Sequence, residues 1–133
     1  MSSDNQAASV NGVRVFLVDD ETEVTEMLKE LIPLLGFEVA GEAKDGLEAI
    51  EQFFLVLPDV TIMDCKMPIM DGMKAAAAIH SQHPQAKILM LSGHFIDTDA
   101  AHNAGIFKVL NKPVRAEDLK KSIEEAVAES VST

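Results

Sequence analysis

Tryptophan and tyrosine are absent from this chain, cysteine occurs once, and basic residues are half as numerous as acidic ones, 11 Lys plus Arg against 22 Asp plus Glu. The lone Cys65 cannot form an internal disulfide, and a single thiol fits a reducing compartment, so a cytoplasmic protein is expected. Its plainest role is that of a small buried hydrophobe. A formal net charge of −11 opposes sequence-independent attraction to nucleic acid or anionic lipid, which argues against direct DNA, RNA or membrane binding. No apolar run approaches the ~20 residues a membrane-spanning helix needs, so a soluble domain is expected. The opening residues, MSSDNQAASVNG, have neither a basic start nor an apolar stretch and lack the build of a secretory leader. Residues 1–11 read as a mobile tail. No internal repeat or low-complexity linker interrupts the rest.

What remains, 133 residues with 47% hydrophobic content, suffices for one core and one domain, expected over residues 12–129 with 130–133 as a C-terminal end or the start of a linker. Short β-branched runs alternate with stretches of helical period. That alternation predicts an α/β fold, a parallel sheet covered by helices on both faces. The runs are VRVFLV (13–18), FEVAGEA (37–43), DVTIMD (59–64), KILMLS (87–92) and IFKVLN (106–111). Most are nearly continuous hydrophobes, as strands buried on both faces require. Val24, Met27, Leu28, Leu31 and Leu35 recur at helical spacing and predict a core-facing helix stopped by Gly36, with Pro33 loosening its last turn. A second helix follows Asp45. Residues 73–80 and 97–104 predict shorter helices, the latter of at most about two turns. Leu119, Ile123, Ala126 and Val127 stripe a final helix whose positive dipole end suits Glu117 and Asp118.

Ligands of an open parallel sheet collect at the carboxyl ends of its strands. Here the first run ends in Asp19 and Asp20, the third in Asp64, the fourth in Ser92, and the fifth is followed by Lys112 and Pro113. Aspartates at strand ends often serve as helix N-caps, and either Asp19 or Asp20 alone would be read so. Three converging carboxylates repel one another unless a hard cation neutralises them, and an oxygen-only set suits Mg2+, with Mn2+ as a substitute. One carboxylate then remains as a nucleophile toward a phosphoryl donor, while Lys112 and the Ser92 hydroxyl hold the transferred oxygens.

The blocks VRVFLVDDE, VTIMDCKMPIMDGM, ILMLSG and VLNKP resemble the successive motifs of the response-regulator receiver family of two-component signalling, over about residues 13–128. The DxxMPxxDG block, met by Asp64, Met67, Pro68, Asp71 and Gly72, is the most specific. The resemblance implies a flavodoxin-like, doubly wound five-stranded sheet in the order 2-1-3-4-5. It also implies a phosphoacceptor at Asp64, a Mg2+ site of Asp19, Asp20, Asp64 and the Lys66 backbone carbonyl, a switch hydroxyl at Ser92, a phosphate-binding Lys112 and a cis Lys112–Pro113 bond. Lys66 and His94 occupy positions that tune phosphate lifetime. The implied partners are a histidine kinase or histidine phosphotransfer protein, and a downstream protein or an output domain outside this sequence. The domain is a signalling phosphoacceptor that catalyses its own phosphorylation, rather than an enzyme.

The sequence departs from the family at Val109, which stands where a rotating aromatic belongs, and in a short Ser92–Gly105 stretch. Phe95 and Phe107 are candidate replacements, with ordinary packing the plainer reading of each. His80, His83 and His102 show no metal spacing and are expected at the surface. Met63, Met67, Met70, Met73 and Met90 are expected to fill gaps near the site. Two other functions remain in view. An aspartyl-phosphate hydrolase would carry a second Asp where Lys66 stands, and a phosphate-independent interaction domain would have lost some of the acidic or lysine positions retained here.

Overall fold

The computed structural model describes residues 12–132. Five strands, β1 (Arg14–Val18), β2 (Glu38–Ala43), β3 (Val60–Asp64), β4 (Ile88–Ser92) and β5 (Lys108–Asn111), alternate with five helices. The helices are α1 (Thr22–Leu34), α2 (Gly46–Val56), α3 (Gly72–Gln82), α4 (Thr98–Asn103) and α5 (Ala116–Ser132). The strands form one parallel sheet in the order β2-β1-β3-β4-β5. This is the α/β fold expected, with order 2-1-3-4-5.

Alternation along β1 shows how two cores form on one sheet. Val15 and Leu17 join Leu28 and Ile32 of α1 and Leu119, Ile123 and Ala126 of α5. Phe16 and Val18 point the other way, toward Ala49 and Phe53 of α2, Ala75, Ala76 and Ile79 of α3, and Ala101 of α4. β3 and β4 are buried throughout, whereas the edge strands β2 and β5 are only partly covered. Ile32 and Phe53 are shielded almost completely, each contributing ~1.5–3 kcal/mol of hydrophobic stabilisation.

Several local expectations are revised. Met27 is 45% exposed, and Ile32 takes the core position on α1 instead. The last turn of α1 runs unbroken through Pro33. It closes at Gly36, where the Gly36 N–H donates to Pro33 and the Phe37 N–H to Ile32. β5 begins two residues later than the run 106–111 predicts. α3 is longer than 73–80, and α5 passes residue 129. His102 is exposed as expected, but His80 and His83 are half-buried, His80 against Gly105 and His83 edge-on to the Phe53 ring. Cys65, Met63 and Met90 lie in the core, with Met67, Met70 and Met73 packed at its margin. The expected tail, residues 1–11, lies outside the described residues. Among the described residues no helix is long and apolar enough to cross a membrane.

Candidate functional site

Parallel register brings the strand ends level: Asp64 lies opposite Leu91, and Ser92 opposite Asn111. Asp19, one residue beyond β1, is held when its own N–H donates to Ala43 and its Oδ1 accepts from the Glu21 N–H at 2.8 Å. Its other oxygen, Oδ2, is buried without a hydrogen-bond partner. Neither Asp19 nor Asp20 caps a helix, since the N-cap position of α1 is Glu21, whose side chain makes no cap bond. The aspartates are thereby left free for other work.

Carboxylate oxygens of Asp19, Asp20 and Asp64 lie within 4.8 Å of one another, with Asp19 and Asp64 buried and Asp20 exposed. The Lys112 ammonium lies 2.9 Å from Asp64 Oδ1, 3.7 Å from Glu21 and 3.9 Å from Asp19 Oδ2. Burial raises the Asp19 carboxyl to about 6. The Glu21 N–H opposes that rise, Asp64 adds to it by repulsion, and Lys112 partly relieves it. Burial also pulls Lys112 down, but its hydrogen bond and charge contact with Asp64, followed by Asp19 and Glu21, outweigh burial and raise it. Burial raises the Cys65 thiol, keeping it protonated and inert.

The loop after β3 is locked against the site. The Gly72 N–H donates to Cys65 at 2.7 Å, and a Cβ on Gly72 would meet the Asp64 carbonyl at 2.2 Å, so only glycine fits. Asp71 caps α3 by accepting from the Lys74 N–H. Between Cys65 and Asp71 the Met70 N–H donates back to Pro68, and the β-branched Ile69 at the centre of that turn takes φ 70, a strained value for such a residue.

Ser92, 1% exposed, ends β4, but its hydroxyl donates to the His94 carbonyl at 2.7 Å and accepts from the His94 N–H. It is therefore bound to its own loop. The His94 and Lys66 side chains are exposed beside this edge, and Val109 is half-buried against the α4 side of the sheet. Phe107 is half-buried under the Lys87 ammonium, and Phe95 is 85% exposed. The Lys112–Pro113 bond is cis. Glu21 was missed by the sequence reading. Its signal is the third acidic residue in DDE, whose reach to Lys112 depends on the turn into α1.

The donor set fits a hard divalent cation: three clustered carboxylates, one with an orphaned buried oxygen and a raised pKa, and no soft ligand among them.

Comparison with known proteins places this geometry. The family model for the response regulator receiver domain matches residues 15–124. The chain is 34% identical over 119 residues to the chemotaxis protein CheY of Listeria monocytogenes, covering 86% of this chain and 98% of that one. It is 38% identical over 116 residues to the transcriptional regulatory protein PdtaR of Mycobacterium tuberculosis, covering 86% of this chain but 57% of PdtaR. A response regulator receiver domain protein from Clostridium thermocellum superposes with a TM-score of 0.81 at 32% identity, covering 90% of this chain and 97% of that one. With strand order, strand-end carboxylates and sequence all in agreement, this chain belongs to the response-regulator receiver domain family of two-component signalling.

Proposed function

We propose that this domain accepts a phosphoryl group on Asp64 from a phosphohistidine of a histidine kinase or histidine phosphotransfer protein. The observation that carries the reading is the convergence of three carboxylates within 4.8 Å, with Lys112 seated on Asp64. Asp19, Asp20, Asp64 and the backbone carbonyl of Lys66 would hold Mg2+, for which Mn2+ can substitute. That ion, when bound, supplies charge neutralisation for the incoming phosphoryl oxygens.

Lys112 fixes Asp64 through Oδ1, which orients the carboxylate for attack on phosphorus. A new O–P bond forms as the P–N bond to the donor imidazole breaks, and the imidazole leaves with the electron pair. The Lys112 ammonium then shifts its ion pair from Asp64 Oδ1 to a phosphoryl oxygen, acting as a point charge. The Ser92 hydroxyl, now given to the His94 carbonyl, exchanges that acceptor for another phosphoryl oxygen and draws the loop after β4 with it. Lys66 and His94 flank the group and govern water's access to it. With Val109 in place of a large ring, the switch runs through the Ser92 loop to a downstream protein or an output domain. The single buried thiol and net acidity support a cytoplasmic protein that signals without binding nucleic acid or membrane itself.

Incubation with acetyl phosphate and Mg2+ is expected to add one phosphoryl group by intact mass, and none with EDTA or in Asp64→Asn. No addition to the folded parent would instead support a phosphate-independent interaction domain.

A further inference from the structure

A concavity of about 370 Å3 opens at the amino ends of β4 and β5, the edge of the sheet opposite Asp64. Pockets that hold small organic ligands run from ~300 to ~1,000 Å3, so this one is large enough. His80, Lys87 and His102 line it beside the apolar Pro84 and Ile106, and Glu129 is the one carboxylate among its lining residues. We infer that this concavity is a second ligand site, built for a small organic carboxylate with an apolar body.

The His80 ring is fixed from one side. A Cβ on Gly105 would overlap its Cγ and Nδ1, so that edge of the imidazole packs on the Gly105 backbone. Nδ1 is buried there with no hydrogen-bond partner. Buried N–H groups without an acceptor are rarer than buried acceptors without a donor, which assigns the proton of the neutral ring to Nε2. Nε2 lies on the opposite edge of the ring and presents a donor to the cavity that His80 lines.

Lys87 supplies the charge. Its side chain is 16% exposed, and its ammonium lies 5.4 Å from the centre of the Phe107 ring and 3.0 Å from Glu129. The Glu129 side chain is 58% exposed, so a ligand carboxylate replaces it on Lys87 at little cost. One partly buried ammonium beside neutral imidazole donors matches a monoanion, whereas a phosphate dianion would leave a negative charge unmatched. Pro84, Ile106 and the half-buried Phe107 ring then cover the apolar body of the ligand. The acidic cluster does not forbid an anion here. The five residues of β4 span ~17 Å, about two Debye lengths at physiological ionic strength, so repulsion from the far edge is screened. The site shares no residue with the phosphoacceptor edge, and the proposal stands independently of that chemistry.

The test titrates the isotopically labelled full chain with three probes. Benzoate carries ring and charge, benzamide keeps the ring without the charge, and inorganic phosphate keeps charge without the ring. Benzoate is expected to move the amide signals of Gly105, Ile106 and Phe107 saturably, with half-saturation at millimolar concentration, while the other two leave them in place. Lys87→Met and His80→Ala are each expected to weaken benzoate binding about tenfold. Glu129→Gln, an exposed change that removes the competing carboxylate, is expected to tighten it about threefold. No saturation at tens of millimolar benzoate, equal shifts with benzamide or phosphate, unchanged affinity in folded Lys87→Met, or binding no tighter in Glu129→Gln would each overturn the proposal.

Discussion

Burial holds the Asp19 carboxyl at about 6 when folded, against 3.8 for an ordinary aspartate, because lost hydration and Asp64 repulsion exceed what the Glu21 N–H and Lys112 return. Between those two values the native state binds more protons than the unfolded state. Stability therefore falls as pH rises from about 4 to about 6, and above 6 the whole penalty is present. Lys112 remains charged across this window, since its own shift is upward. Asp19→Asn removes the penalty together with one metal ligand. Without metal, the variant is expected to melt on the order of 5 °C above the parent at pH 7, with the gap closing by pH 4, as read by scanning calorimetry. A gap that ignores pH would show that Asp19 is not the titrating group. The cost is carried at a buried carboxylate of the acidic cluster, as expected where function rather than stability shapes a position.

Contacts between elements depend on residues whose role no local pattern discloses. Gly105 turns the chain from α4 into β5 at φ 80, and a Cβ there would lie 2.2 Å from the His80 ring on α3. Gly105→Ala is expected to cost about 2–4 kcal/mol, from backbone strain and the clash together. In a His80→Ala background the clash is gone, and the same change should cost about 1 kcal/mol for the left-handed backbone alone. Denaturant melts of the four proteins measure the difference, and equal costs in both backgrounds would mean that His80 moves aside freely. His80 was expected in solvent because a histidine in a helix with a thin apolar stripe carries no sign of a distant glycine. β1, β3 and β4 were legible as continuous hydrophobes because burial on both faces leaves no polar position. Met27 and Ile32 were misassigned because several registers of α1 present apolar residues, and packing against β1 and α5 selects one. At the site, Asp19, Asp64 and Lys112 were readable because strand ends in a parallel sheet converge. The Ser92 bond to His94 and the reach of Glu21 to Lys112 were not, because both depend on loop backbones that periodicity does not constrain.

Across the whole molecule, a net charge of −11 produces self-repulsion that any salt screens, over a Debye length of ~10 Å at 0.1 M. Sodium chloride should therefore raise the melting temperature modestly and without regard to which carboxylate is replaced. The cluster of Asp19, Asp20 and Asp64 adds a local term of a different kind, because a cation that binds only the folded arrangement stabilises it by mass action. At equal ionic strength MgCl2 is expected to raise the melting temperature further than NaCl, with the excess growing logarithmically once the site is saturated. Asp20→Asn separates the two terms most cleanly, since Asp20 is exposed and its replacement leaves both cores untouched. The variant should keep the response to NaCl and lose most of the Mg2+ excess. Equal responses to the two salts in the parent would reduce the cluster to ordinary surface charge and remove the metal from the phosphoryl-transfer reading. A Mg2+ excess that survives Asp20→Asn would instead confine the ion to Asp19 and Asp64, the two carboxylates that the fold already buries beside Lys112.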